Sequence, residues 1–222
     1  MKHNNTHDLM EEFITLAETK INRPGIDQLL EYLESTNFFV APASRNYHGN
    51  YPGGLVEHSL NVYYNLLSIC NHLRNTNDLI RFRDESIAIV ALFHDLCKAD
   101  MYKMSSRKER NAAGIPVDVP CYVYNKNYKS MGHATESLYI LQKFMDLSRE
   151  EWEAIYWHMG AFDLSNYSNN DRMSAAYRNN TLAFALHQAD MMSAYVTENE
   201  NGIQAQYAAK YGENSSDIIW PL

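Results

Sequence analysis

The stretch Ala91-Leu92-Phe93-His94-Asp95-Leu96-Cys97-Lys98 decides how this chain is read. It closes a run, 84–99, in which apolar residues recur at helical spacing. Ile87, Ala91, His94, Asp95 and Lys98 therefore occupy neighbouring positions on one face of an expected helix. Ionisable side chains are rare on such a face unless they are paired or bind a metal. Consecutive residues diverge by about 100° around a helix axis, so His94 and Asp95 approach a shared point from different sides. The carboxylate keeps a second oxygen for another ion.

The same anomaly recurs on both sides. Upstream, a breaker-rich loop over 41–54 leads into a helical pattern over 55–73, whose stripe of His58, Val62, Leu66, Ile69 and Leu73 turns His58 inward. Downstream, helical pattern resumes at His133 over 133–145 and again over 148–158, where Ser148 and Glu151 have the spacing of a capping box and His158 closes the run. A polar loop is expected over 165–172, then one long helix over 174–196 with Leu182, Leu186, Ala189, Asp190 and Ser193 on one face. Two earlier helices, 8–20 and 26–35, are separated by the stop Asn22-Arg23-Pro24-Gly25.

Between Met101 and Lys129 the helical period is lost, and the β-branched and aromatic run 115–124 predicts an extended segment or small hairpin around 112–128. The expected fold class is all-α: a helical bundle with that excursion. One domain is expected, made of N-terminal helices over 8–35, a core over 51–196 and a tail over 199–222 that packs as a last helix or mediates a homodimer.

Hydrophobic residues make up 45% and charged residues 21% of the 222, the balance of a globular chain rather than a disordered one. No stretch has the roughly 18 to 20 uninterrupted apolar residues of a spanning helix, and the N-terminus lacks the apolar core of a signal peptide, so a cytoplasmic protein with no membrane partner is expected. Cys70, Cys97 and Cys121 form no C-x-x-C pair and read as reduced core thiols. A net charge of −8 argues against a broad nucleic-acid surface, yet leaves room for small anionic substrates, for which a bound metal supplies local positive charge.

Taken singly, each inward histidine reads as a hydrogen-bonded core residue. Together His58, His94, Asp95, His133, His158 and Asp190 place six ionisable groups on five apolar helix faces, and a divalent cation compensates such a set by accepting imidazole nitrogen and carboxylate oxygen.

The order His58, then His94-Asp95, then Asp190, each on its own helix, resembles the signature of the HD superfamily of metal-dependent phosphohydrolases. The tracts GGLVEHSL at 53–60 and ALFHDLCK at 91–98 are similar to HD domains of bacterial 3′-to-5′ exoribonucleases and of bacterial and phage hydrolases, and the likeness covers about 51–195. It implies an HD-type bundle in which His58, His94, Asp95 and Asp190 ligate a first divalent ion. Asp95 would bridge to a second ion held by His133 and His158; each ion is drawn from Mn, Fe, Mg, Ni, Co or Zn. The implied activity is metal-assisted hydrolysis of a phosphate ester, a phosphohydrolase or phosphodiesterase reaction with Asp95 and Lys98 as its catalytic residues. The implied partner is a phosphate-containing small molecule or a nucleic-acid end.

Lys98 either contacts a substrate phosphate or snorkels to solvent. His48, His187 and Arg45 are further substrate-site candidates, with structural or solvated roles as the alternative. Lys103, Arg107, Lys108 and Arg110 either steer a phosphate-bearing ligand or form a solvated run, and Tyr102, Tyr122 and Tyr124 are candidates for stacking on a base. No accessory nucleic-acid module such as an OB-fold is visible in the sequence before the HD-like region, a departure from those exoribonucleases that puts processive RNA degradation in doubt. Two other readings stay open: an HD-type di-iron oxygenase, and a regulatory module that binds a nucleotide without turnover.

Overall fold

A computed structural model of the chain describes residues 5–128, 131–163 and 168–198. The expected tail at 199–222, and 165–167 of the expected polar loop, lie outside the described residues.

The most apolar segment forms the central element. Helix α4 (Asp84–Phe93) buries every side chain from Ser86 to Phe93, as a helix that is hydrophobic all round must. Around it pack α1 (Thr6–Lys20), α3 (Gly54–Thr76) and α6 (Arg149–Trp157), while α8 (Thr181–Met192) lies against α3 and α6. Phe13 of α1 anchors that helix, its ring centroid 5.2 Å from Phe38, 5.6 Å from Phe39 and 5.9 Å from Phe93. Helices α2 (Ile26–Ser35), α5 (His133–Leu141) and α7 (Ser168–Asn179) complete the bundle among the described residues.

The bounds of several expected elements are corrected. Helix α4 does not run on to residue 99. It stops at Phe93, Asp95 leaves helical geometry at φ −111° and ψ 24°, and a 3-10 turn, Leu96–Asp100, follows. His94 and Asp95 thus sit at the end of a helix, where the chain turns the carboxylate off the axis.

The expected helix over 174–196 is two helices, and the expected loop is helical from Ser168 onward. Asn180 separates them: its backbone is extended, and its side chain accepts hydrogen bonds from Leu182 N and Ala183 N, capping α8. Helix α5 ends at Leu141, four residues before the expected end.

The expected excursion is present as an antiparallel hairpin of β1 (Tyr102–Arg110) and β2 (Pro116–Tyr124) on a mostly helical molecule, but it begins ten residues before the expected 112. Strand β1 reads Tyr-Lys-Met-Ser-Ser-Arg-Lys-Glu-Arg and is exposed from Lys103 onward, so no alternation marks it; pairing to β2 makes it a strand.

The loop before α3 is seated by close backbone approach. Ala43 N donates to Gly49 O at 2.9 Å, and a Cβ on Gly54 would lie 2.0 Å from the Gly49 carbonyl oxygen, so only glycine lets this loop fold onto the start of α3. That folding brings His48 over His58, with ring centroids 4.9 Å apart.

Candidate metal centre

Helix ends and inward stripes deliver the site. His58 lies in the second turn of α3, His94 and Asp95 at the end of α4, His158 at the end of α6 and Asp190 near the end of α8. His58, His94 and His158 have no exposed side-chain surface, Asp95 is 2% exposed, and these groups meet. Asp95 Oδ2 is 3.4 Å from His94 Nε2 and 3.8 Å from His58 Nε2, Asp95 Oδ1 is 3.7 Å from His158 Nε2, and His58 Nε2 is 3.2 Å from Asp190 Oδ1.

Each imidazole has its Nδ1 facing an acceptor, which requires the proton on that nitrogen and leaves Nε2 for the centre. His94 Nδ1 donates to Ala91 O at 2.8 Å, and His158 Nδ1 donates to Ile155 O at 2.6 Å. Within the centre, His58 Nε2, His94 Nε2, His158 Nε2 and Asp95 Oδ1 are buried without a hydrogen bond of acceptable geometry among the described residues. Ligand atoms about 2.0–2.2 Å from one ion stand at most about 4.4 Å apart. Atoms of His58, His94 and Asp95 fall within 4.8 Å of one another, as do those of His94, His158 and Asp190, a spacing close to what ligation of one ion requires.

His133, at the start of α5, joins Asp95 and Cys97 in a further group within the same limit, and Cys97 Sγ is 3.6 Å from His133 Nδ1. Asp95 therefore belongs to two of the groups, while His158 stands with His94 and Asp190 rather than with His133. Burial pushes the Cys97 thiol up to about 12.

The electrostatics are those of coupled opposite charges. Burial disfavours ionised Asp95, but Lys98 and His94 outweigh it and hold the carboxyl well below its usual range. Burial likewise opposes a charged His58, and Glu198 and Asp190 overcome it, raising the imidazole to about 10. Asp190 is lowered by His58 against its own burial. The Lys98 ammonium is 2.6 Å from Asp95 Oδ2 and buried, which excludes the snorkelling alternative; Asp95 raises its pKa despite desolvation.

A cavity of about 650 Å³ opens above the cluster, within the range of small-ligand sites. Asp95, Lys98, His158, His187, Asp190 and Glu198 line it together with the loop around His48. His187 Nδ1 donates to His158 O at 2.7 Å, and its ring stacks on Tyr177 and fills the space a Cβ on Gly160 would need. His48 is lowered to about 4 by burial and by the nearby His58 and Lys98. Arg45 is exposed over the Tyr124 ring, 5.2 Å from its centroid, and does not line the cavity. The basic residues of β1 are exposed and lie outside the cavity lining, as do Tyr102, Tyr122 and Tyr124.

Sequence reasoning missed Glu198. Its carboxylate accepts from His58 Nδ1, with both oxygens at 3.0 Å, and from Asn61 Nδ2 at 3.0 Å. It lies in the polar run Thr-Glu-Asn-Glu, with no periodic signal to place it inside.

The helical bundle thus gathers imidazoles and carboxylates from several helices into one buried cluster of the donor types that bind a metal ion. The HD domain model matches residues 55–195, and the chain belongs to the HD domain family. No curated protein and no solved structure matches the chain. Among the described residues no helix is long and apolar enough to cross a membrane.

Proposed function

We propose that this chain is a metal-dependent phosphohydrolase that cleaves a phosphate ester of a nucleotide or of an oligonucleotide end. One observation carries the reading: four buried donor atoms, His58 Nε2, His94 Nε2, His158 Nε2 and Asp95 Oδ1, stand together without hydrogen-bond partners among the described residues. A buried polar atom left unpaired costs about 1–3 kcal/mol, so four side by side are expected where a cation completes them. Imidazole and carboxylate together suit a divalent first-row metal, which takes each imidazole in its neutral form and displaces its proton.

His58, His94, Asp95, Asp190 and His158 would hold the metal, with His133 on the far side of Asp95. A bound divalent ion there supplies a water of lowered pKa and neutralises charge on the phosphoryl group. The protein's own groups do the rest. Lys98, fixed by Asp95 at the cavity wall, keeps ammonium protons free to bind a phosphate oxygen. Asp95, ionised far below neutral pH, holds negative charge at the centre without carrying a proton. His48, lowered to about 4, stays neutral at the cavity edge and adds no positive charge beside the centre. The cavity volume fits a nucleotide and leaves a longer polymer outside, consistent with the net charge of −8. Arg45, outside the cavity, has no part in the proposal.

Incubation with Mn(II) and bis-p-nitrophenyl phosphate tests the reading. Hydrolysis is expected, with loss of at least about 100-fold in Asp95→Asn, since removing a group central to charge stabilisation costs about that much or more. A panel of nucleoside monophosphates, nucleoside triphosphates, cyclic dinucleotides and short oligonucleotides then identifies the substrate class. Inactivity on every member with metal bound would sink the hydrolase reading in favour of a binding module.

A further inference from the structure

The three central imidazoles differ in what holds them. His94 and His158 each donate Nδ1–H to a carbonyl three residues back on their own helix, an acceptor any sequence would supply. His58 donates to a carboxylate 140 residues away in sequence. Glu198 is 3% exposed at its side chain, and Asn61, one turn after His58, donates to the same carboxylate, so the group is held from two positions of α3.

The backbone is shaped to deliver it. After α8 the helix widens into a π turn, Ser193–Thr197, closed by Glu198 N donating to Ser193 O at 2.9 Å. Such a turn adds one residue to the helical ladder and occurs frequently at functional sites. Asn65 Nδ2 ties the turn to α3 by donating to Ser193 Oγ at 2.9 Å and Thr197 Oγ1 at 3.3 Å. His58, Asn61 and Asn65 thus lie along one stripe of α3 that meets the turn.

We infer that Glu198 is a positioning residue for His58 as a metal ligand: its carboxylate fixes the ring orientation, keeps the proton on Nδ1 and aims the Nε2 lone pair at the centre. The inference rests on the metal reading above. An outer carboxylate on a ligating imidazole also raises the basicity of the metal-facing nitrogen, and losing such a partner typically weakens metal binding by roughly 10–100-fold.

The test titrates Zn(II) alone into wild type, Glu198→Ala, Glu198→Gln and Glu198→Asp by calorimetry, with circular dichroism to establish that each is folded. Glu198→Ala is expected to bind roughly 10–100-fold more weakly. Glu198→Gln, which keeps size and one acceptor but loses charge, falls between, and Glu198→Asp recovers part of the loss. A second readout is the ring Nδ1 proton of His58 in Zn(II)-loaded, 15N-histidine-labelled protein, slow to exchange in wild type and lost to exchange in Glu198→Ala. If wild type binds Zn(II) but folded Glu198→Ala and Glu198→Gln bind as tightly, the positioning role is overturned and the metal reading stands. If Glu198→Gln matches wild type while Glu198→Ala is weakened, the residue acts by packing and the inference also fails. If wild type binds no Zn(II), both readings fall.

Discussion

Two buried charged clusters in this protein are built on opposite plans. Around Glu151 every acceptor is met: Oε2 takes Arg23 Nη1 at 2.7 Å and Ser148 N at 2.7 Å, and Oε1 takes Arg23 Nη2 at 3.0 Å and Ser86 Oγ at 2.6 Å. Arg23 also reaches Glu85, so the loop between α1 and α2 is riveted to α4 and α6. Around Asp95 the outer nitrogens are equally well held, but the inner atoms of three histidines and one carboxylate oxygen face each other without hydrogen-bond partners among the described residues. A satisfied cluster holds helices together. A cluster satisfied on the outside and left open at its centre is prepared for something that is not protein.

The largest expected effect breaks the first cluster. Glu151→Ala removes the main carboxylate partner of the half-buried Arg23 guanidinium and leaves Ser86 Oγ and Ser148 N without their acceptor, and should cost about 3–5 kcal/mol, measured as a lower urea midpoint. Zn(II) affinity of the folded fraction should not change; a parallel loss of affinity would mean that the two clusters are not separate. Next in size is the stabilisation by metal itself. Zn(II) at a hundred times its Kd should add about 2.7 kcal/mol to wild type and to Glu151→Gln, and nothing to Asp190→Asn, as read by thermal unfolding.

A pH series sharpens the contrast further. Burial raises the Glu151 carboxyl, but Arg23, Ser86 and Ser148 outweigh it, so its pKa is lowered in the folded state. A lowered carboxyl binds fewer protons folded than unfolded, so its contribution is full above the unfolded value of about 4.3 and is lost as pH falls through the folded value. The stability gap between wild type and Glu151→Gln should therefore be constant from pH 7 to about 5 and close on further acidification; a gap that widened in acid would reverse the assignment. The smallest effect belongs to the exposed Arg149–Glu153 pair: Arg149→Ala should change stability by about 0.5 kcal/mol or less.

Long apolar periodicity was legible in the sequence. It located α1, α2, α3 and α6 closely, and it turned His58, His158 and Asp190 inward, where the structure brings them together with His94 and Asp95. What escaped it depends on partners rather than on local pattern. Strand β1, exposed from Lys103 onward, exists by pairing, the Asn180 cap interrupts an otherwise continuous helical stretch, and Glu198 reaches His58 from the end of a π turn that follows α8. The ending of α4 just before His94-Asp95 was hidden as well, because 3-10 and α geometry share nearly the same apolar spacing over so few residues.

The most direct test of the central claim is metal content. Protein stripped with a chelator, equilibrated with Mn(II) and passed through a desalting column should retain one or two equivalents by elemental analysis, and folded Asp95→Asn should retain none. Wild type free of metal, or Asp95→Asn loaded to the same level, would contradict the account.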